Sequence, residues 1–246
     1  MRTLDSVKLQ RAKTNQVDIR IGDYLNQSFS IFSQHWLQFM LFAFVSMILS
    51  LVSAITIVGP YFIMFPLQMG YGHVIDKIEN NEEFVFNDFF IGFKQWTKFI
   101  PLLLLFLGLI IILFIPIIIL GGVGSMMQLN ADMVPFFGIS LFAIFPVIII
   151  LGIVVSAIVF LVPYVIYYGN IGVLESIKVC ININKNNFWY LLLFVLLFSI
   201  ISQIGTYLCL IGVFASIPIA YIMAYLLVKD ILLTDDKNEI DTIGQS

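Results

Sequence analysis

The chain has 246 residues, of which 61% are apolar and only 27 are charged, 12 basic and 15 acidic. A soluble globular protein has roughly a quarter of its residues charged, so this composition excludes that class. The net charge of −3 is small and no basic cluster is present, which argues against a nucleic-acid partner. The long uncharged runs predict an all-α polytopic membrane protein, because they far exceed the roughly 20 residues that span a bilayer.

The polar segments divide the chain into three parts. Residues 1–20 predict a cytoplasmic arm, residues 21–232 a single six-span membrane domain, and residues 233–246 a polar cytoplasmic tail. No long apolar run precedes Trp36, so we expect the first span, rather than a cleavable signal peptide, to direct insertion. The spans are predicted at residues 36–57, 60–76, 99–120, 137–168, 188–207 and 211–230.

Glycine and proline mark the boundaries of several spans. Val58-Gly59-Pro60 predicts the turn between the first two spans. Gly121–Gly124 is expected to end the third span and to begin a loop on the far side of the membrane. The fourth span is longer than a bilayer requires, so it is expected to tilt, to protrude, or to kink at Pro146 or Pro163.

Each pair of spans is preceded by a segment whose apolar residues recur at helical spacing. These segments, residues 21–35, 86–98 and 171–185, predict amphipathic helices that lie in the membrane interface. The alternative for the first segment is a soluble helix that packs on a partner protein. A tryptophan, which prefers the interface, stands near the start of each following span: Trp36, Trp96 and Trp189. The recurrence of helix, span, turn and span indicates a threefold internal repeat.

The basic residues indicate the topology. With these six spans all 12 Lys and Arg residues fall on one side of the membrane. The positive-inside rule then places both termini in the cytoplasm. A five-span or seven-span arrangement would divide the basic residues between the two sides. We therefore expect a multi-pass protein of the bacterial cytoplasmic (inner) membrane.

The segment Pro163–Asp230 carries a family resemblance. It leads from a Pro-aromatic span end into GVLESIKVCININKNNFWYLLLF and closes with a hairpin containing Gly and Pro. In these features the chain resembles a broad group of uncharacterised bacterial six-span proteins similar to the membrane domain of glycerophosphoryl diester phosphodiesterases. The resemblance implies the six-span layout but no agreed activity. The phosphodiesterase catalytic domain has no counterpart in this sequence, so no catalytic residue is carried over.

The ionisable residues do not form a recognisable catalytic pattern. Metal-assisted hydrolysis needs clustered carboxylates and histidines, whereas His35 and His73 are the only histidines and lie far apart in the sequence. The sequence contains no HExxH, no Gly-rich phosphate loop and no CxxC motif. We therefore predict that the protein is not an enzyme and has no cofactor or metal site.

A few polar residues are predicted at membrane depth and form a candidate polar patch: Gln68, His73, Asn170 and Gln203. Two of them end similar steps, since Pro66 precedes Tyr71-Gly72-His73 and Pro163 precedes Tyr168-Gly169-Asn170. We expect these steps to meet near the cytoplasmic leaflet. The ordinary interpretation is hydrogen bonding between helices, and the functional one is a polar site lined by interrupted helices. The aromatic residues nearby are expected to form a lipid-facing belt: Tyr61, Phe62, Phe65, Tyr71, Tyr164, Tyr167 and Tyr168.

These observations favour an integral inner-membrane protein without a catalytic site, acting as a membrane scaffold or a lipid-associated module. The alternative is a small transporter or permease subunit with a polar patch between spans two and four. The expected partner is the lipid bilayer, with a lipid or a small solute as a further ligand, and protein partners are left open. A transporter should have a water-accessible cavity that reaches mid-membrane, whereas a scaffold should have a filled core and apolar lateral grooves.

Overall fold

The computed structural model describes residues 2–15, 17, 19–56, 59–126, 134–207 and 212–234, except for the side chains of residues 113, 114 and 116–145. The described chain is helical, apart from short connections and one antiparallel bridge between Leu4 and Leu233. This confirms the all-α class. The helices are α1 (Ser6–Thr14), α2 (Ile21–Gln34), α3 (Trp36–Ser53), α4 (Gly59–Glu79), a 3₁₀ helix (Phe86–Phe99), α5 (Ile100–Met126), α6 (Val134–Val159), α7 (Val162–Gly169), α8 (Val173–Tyr207) and α9 (Val213–Leu232).

Five stretches of the described chain are long and apolar enough to cross a membrane: Trp36–Ser53, Phe86–Ile112, Pro146–Gly169, Val173–Tyr207 and Val213–Leu232. Helix α4, which holds the expected second span, is not among them. Its 21 residues extend about 32 Å at 1.5 Å per residue, which matches the thickness of a bilayer core. It is less apolar because it carries Gln68 and His73 together with several glycines.

The centre of the bundle is formed by α9 and α4. In α9, 72% of the apolar window is buried inside the protein, compared with 17–28% in the other four stretches. Most residues of α4 between Phe65 and Asp76 are also buried. Side chains that face protein rather than lipid can be polar or small. The position of α4 in the bundle therefore explains its lower apolarity.

The first two amphipathic segments form separate helices. Helix α2 ends at Gln34, and α3 begins at Trp36 after the non-helical backbone of His35. The second segment is the 3₁₀ helix, whose backbone bends at Gln95 before α5 begins. The three tryptophans predicted to mark the interface are exposed: Trp36, Trp96 and Trp189.

The third amphipathic segment is not a separate helix, and that expectation is wrong. Helix α8 runs from Val173 to Tyr207 without interruption, whereas a helix needs a break or sharp kink to turn from the membrane plane to the membrane normal. The Asn-rich stretch does not end the helix because its side chains bond within it. Asn184 and Asn187 each donate to the carbonyl oxygen four residues earlier, at 3.0 Å and 2.9 Å respectively.

Glycine and proline act differently in the third and fourth spans. Helix α5 continues through Gly121–Gly124 to Met126, so the expected end of the helix at these glycines is wrong. Glycine is tolerated within membrane helices because neighbouring helices can compensate for it. Helix α6 contains Pro146 and ends at Val159. The helical conformation is interrupted there, and α7 begins at Val162 with Pro163 in its first turn. The expected far-side loop includes residues 127–133, which lie outside the described residues.

The described part of the arm is folded against the bundle. The side chain of Asp5 caps α1 by accepting two backbone N–H groups, and α1 packs on α8 and α9. The end of α1 is held by Asn187, which donates to the carbonyl oxygen of Ala12 at 3.0 Å and accepts from the backbone N–H of Val17 at 2.7 Å. This segment is therefore an ordered part of the protein.

Candidate functional site

Helix α4 is fixed on one side by the 3₁₀ helix. A Cβ atom on Gly70 would overlap the carbonyl oxygen of Phe89, and one on Gly92 would overlap that of Pro66. The two backbones therefore approach more closely than side chains would allow. Gln68 lies two residues from Pro66, about 200° around the helix, so it faces away from this contact. The sides of α4 that turn away from the 3₁₀ helix line two cavities.

The first cavity, which we name the α4–α6 cavity, lies between α4, α5, α6 and α8 and has a volume of about 390 Å³. Among the described residues, no Asp, Glu, Lys, Arg or His side chain lines it, and the polar side chains are Gln68, Ser156 and two tyrosines. Most of its wall is aliphatic or aromatic, including Phe65, Phe106, Ile110, Val155, Phe160 and Phe198. The cavity thus resembles a site for an apolar chain more than one for an ion.

Gln68 lies beside a buried tyrosine. It is 7% exposed, and it lies within hydrogen-bonding reach of the hydroxyl group of Tyr164, a residue that is 1% exposed. Tyr164 follows Pro163 at the start of α7, so the pair joins the two proline-containing segments that the sequence analysis singled out. The amide therefore connects α4 to α7 at the edge of the cavity.

The second cavity, which we name the α3–α9 groove, has a volume of about 500 Å³ and lies between α3, α4 and α9. It shares Tyr61, Met64 and Tyr221 with the α4–α6 cavity, so the two spaces flank the same stretch of α4. Its inner end is formed by Tyr71, whose ring stacks on Tyr221 with the centroids 4.9 Å apart. Ser46 and Ser50 of α3 also line it.

A buried charged cluster closes the ends of α4 and α9 near the arm. The guanidinium group of Arg2 lies 3.2 Å from Asp76 and 2.9 Å from Glu79, and it donates to the Tyr225 hydroxyl at 3.2 Å. Tyr225 in turn donates to Asp76 at 3.0 Å, and Lys229 pairs with Glu79 at 2.7 Å. Among the described residues, two cations therefore face two carboxylates in this cluster.

The electrostatic surroundings keep Arg2 charged. Burial acts to lower the pKa of Arg2, while Tyr225 and Glu79 raise it, and the net result is a pKa above the ordinary value. The side chains of Arg2 and Asp76 are 5% and 4% exposed. This cluster is thus a closed structural junction between the arm, α4 and α9, and it offers little surface to a ligand.

The four residues of the predicted polar patch lie in different environments. Gln68 is buried, His73 is half-buried, and Asn170 and Gln203 are exposed. Asn170 ends α7 in the left-handed conformation, and its side chain accepts a hydrogen bond from Lys98. Within the described residues, no hydrogen bond joins two of these four side chains. A Cβ atom on Gly72 would lie 3.0 Å from the hydroxyl oxygen of Tyr168, so Gly72 and Tyr168 bring the two steps together.

The expected aromatic belt is only partly exposed. Tyr61 and Phe62 are exposed, but Phe65 and the other tyrosines named for the belt are buried: Tyr71, Tyr164, Tyr167 and Tyr168. The belt expectation is therefore wrong for these five residues, because α4 and α7 are covered by neighbouring helices. Sequence reasoning also missed the role of Arg2. The one feature of the sequence that indicated a buried basic partner was Asp76, a carboxylate at the end of an otherwise uncharged span.

Comparisons of this chain with protein-family models, curated proteins and solved structures found no match. The resemblance to the six-span bacterial group therefore remains an expectation from the sequence.

Proposed function

We propose that the chain crosses the membrane six times, as three hairpins. In this arrangement α4 crosses the membrane in addition to the five apolar stretches, and it is the second crossing in chain order. The parity of the crossings supports this. Leu4 and Leu233 form a bridge, and the backbone N–H of Thr234 donates to Thr3 at 3.0 Å, so both sites lie at the same end of the bundle. An even number of crossings must connect them, whereas the apolar stretches found in the described part of the chain number five. Among the other described helices, α4 alone has the length of a span.

The basic residues that gather at this end support a cytoplasmic location for it. Arg2 and Lys229 belong to the charged cluster, and Arg20 lies 3.8 Å from Asp230. The positive-inside rule assigns such an end to the cytoplasm.

The membrane crossing by α4 can be tested with single cysteines at its two ends. In a variant without Cys180 and Cys209, Thr56→Cys and Glu82→Cys should react with a membrane-impermeant thiol reagent from opposite sides of the membrane. Reaction of both cysteines from the same side would exclude α4 as a span. A reporter that is active only in the cytoplasm, fused after Ser246, should be active.

We further propose that the protein is a lipid-associated membrane module without a catalytic role. The α4–α6 cavity is the observation that carries this function. The part of its wall that the structure describes lacks acidic, basic and histidine side chains, whereas sites for ions and polar solutes in membranes depend on such groups or on free backbone carbonyls. An apolar cavity between membrane helices is complementary to the hydrocarbon chain of a lipid.

Filling the cavity tests this proposal. A Cβ atom on Gly152 would have no neighbouring atom within 4 Å, and Gly152 lines the cavity, so Gly152→Phe should fill it without striking the backbone. The protein extracted in mild detergent should retain lipid in native mass spectrometry, and Gly152→Phe should reduce that retention. Gly108→Phe is the matched control, because Gly108 is equally unobstructed but does not line the cavity. Equal retention in all three proteins would contradict the proposal.

The transporter alternative has one observation in its favour. Gln68 and Tyr164 place polar groups beside the cavity next to Pro66, and helices interrupted near a polar pair are common in transporters. Water access distinguishes the two functions. If the cavity holds lipid, a Gln68→Cys residue in the cysteine-free variant should be protected from the impermeant reagent on both sides of the membrane. Reaction from either side would favour the transporter.

A further inference from the structure

The α3–α9 groove runs along α4 within the hydrocarbon region. It is lined by α4 residues from Pro60 to Tyr71, a distance of about 16 Å along the helix axis. This is about half of the 30 Å thickness of a bilayer core, so the groove is as long as one leaflet is deep. None of the described residues that line it carries a charge. An occupant of the groove should therefore be elongated, largely apolar and electrically neutral.

Five residues with hydroxyl groups line this groove: Ser46, Ser50, Tyr61, Tyr71 and Tyr221. Two of these hydroxyl groups stand apart from the others. The Tyr71 hydroxyl and the Ser46 Oγ are buried, and neither has a hydrogen-bond partner among the described residues. Tyr71 is 1% exposed. Ser50, which lines the same groove, differs because its hydroxyl donates to the carbonyl oxygen of Ser46 at 2.8 Å. A buried hydroxyl without a partner is unfavourable, and both of these groups are able to donate a proton.

We infer that the α3–α9 groove binds a neutral lipid whose ester carbonyl accepts hydrogen bonds from Tyr71 and Ser46. The acyl chain of this lipid would lie along the apolar walls formed by α3, α4 and α9. A phospholipid fits less well, because the described lining of the groove offers no cation to pair with a phosphate group. A plain hydrocarbon would leave both hydroxyls unpaired. The chemical class is thus a neutral acyl ester such as a diacylglycerol. This inference rests on the proposed lipid association and assigns a ligand to its second cavity.

Photolabelling of the full chain in phosphatidylcholine vesicles tests the inference. The probes are a diacylglycerol with a diazirine in one acyl chain, a phosphatidylcholine with the same chain, and a diazirine hydrocarbon of equal length. We expect the diacylglycerol to label the groove-lining parts of α3 and α9 more strongly than either comparison probe. Tyr71→Phe should lower this labelling about fivefold, which corresponds to one lost hydrogen bond. It should not change labelling by the hydrocarbon.

Two further variants make the test specific. Ser46→Ala should also weaken diacylglycerol labelling, whereas Tyr190→Phe, which removes the hydroxyl of a tyrosine on α8 outside the groove, should leave it unchanged. Equal labelling by all three probes, or unchanged labelling of Tyr71→Phe and Ser46→Ala, would overturn the inference. If Gly152→Phe still reduced lipid retention, the inference alone would have failed. If retention were also unaffected by Gly152→Phe, the proposed lipid association would have failed as well.

Discussion

Replacing Arg2 by methionine should destabilise the protein much more than replacing an exposed arginine. The substitution keeps a side chain of similar length to the aliphatic part of arginine but removes the guanidinium group that faces Asp76 and Glu79. Asp76 is 3% exposed, so its charge would remain buried with fewer partners. Removing one partner of a buried ion pair costs about 3–5 kcal/mol.

The structure places the expected loss at the low end of that range. Asp76 keeps the hydrogen bond from the Tyr225 hydroxyl, and Glu79 keeps its pairing with Lys229. We therefore expect a loss of about 3 kcal/mol. At 2–4 °C per kcal/mol for a chain of this size, the melting temperature should fall by roughly 6–12 °C.

Arg20→Met is the matched control. The Arg20 side chain is 58% exposed and lies 3.6 Å from Asp23 and 3.8 Å from Asp230. Exposed pairs of this kind contribute about 1 kcal/mol or less, so the melting temperature should change by less than about 4 °C.

The thiol of Cys180 provides the assay. Cys180 is free and fully buried in α8, so a thiol-reactive dye should reach it only when the bundle opens. The melts would be recorded in detergent on a Cys209→Ser background. Should the arm detach before the bundle unfolds, trypsin cleavage at Arg11 and Lys13 would report the loss instead.

The reasoning also predicts a rescue. Adding Asp76→Asn to Arg2→Met removes the stranded charge, so the double variant should recover part of the lost stability. If Arg2→Met and Arg20→Met melted alike, and trypsin cut both at the wild-type rate, the cluster would not stabilise the fold and the argument would be wrong.

Two other substitutions follow from close contacts in the structure. Gly92→Ala should destabilise the protein by roughly 1–3 kcal/mol because its methyl group would overlap the carbonyl oxygen of Pro66. Gly22→Ala, which has no atom within 4 Å of the new Cβ, should leave the stability unchanged. Equal melting temperatures for the two variants would contradict the close approach of the 3₁₀ helix to α4. Asn187→Ala removes three bonds that hold the arm and should speed trypsin cleavage at Lys13 roughly tenfold. Asn182→Ala on the exposed side of α8 should leave the rate unchanged, and an equal rate in Asn187→Ala would refute its role as an anchor.

Local patterns in the sequence predict most of the apolar helices but not how they join. The uncharged run after Trp36 predicts α3, and the apolar stripe before it predicts α2. The continuity of α8 was missed because an Asn-rich stretch normally favours turns. Only the structure shows that Asn184 and Asn187 return their hydrogen bonds to the same helix.

The candidate site could be predicted only in part, for a physical reason. Gln68 stands out as a polar residue in an apolar run, and it does lie beside a cavity. Tyr71 was assigned to a lipid-facing belt because lipid-facing and protein-facing positions of a membrane helix are both apolar and cannot be separated by composition. Arg2 and Asp76 are 74 residues apart, and no local pattern indicates a pairing over that distance.

The bridge between Leu4 and Leu233 also constrains the order of biogenesis. A ribosome makes the segment around Arg2 first, but Tyr225 and Lys229, which complete its surroundings, are made more than 220 residues later. The early segment can therefore form its contacts with α9 only after α9 has been inserted into the membrane. Closing so long a loop is entropically costly, and until it closes Glu79 lacks Lys229 and Asp76 lacks the Tyr225 hydroxyl. A chain that stalls before α9 would thus display these carboxylates and the uncovered face of α1, which would distinguish it from a finished molecule.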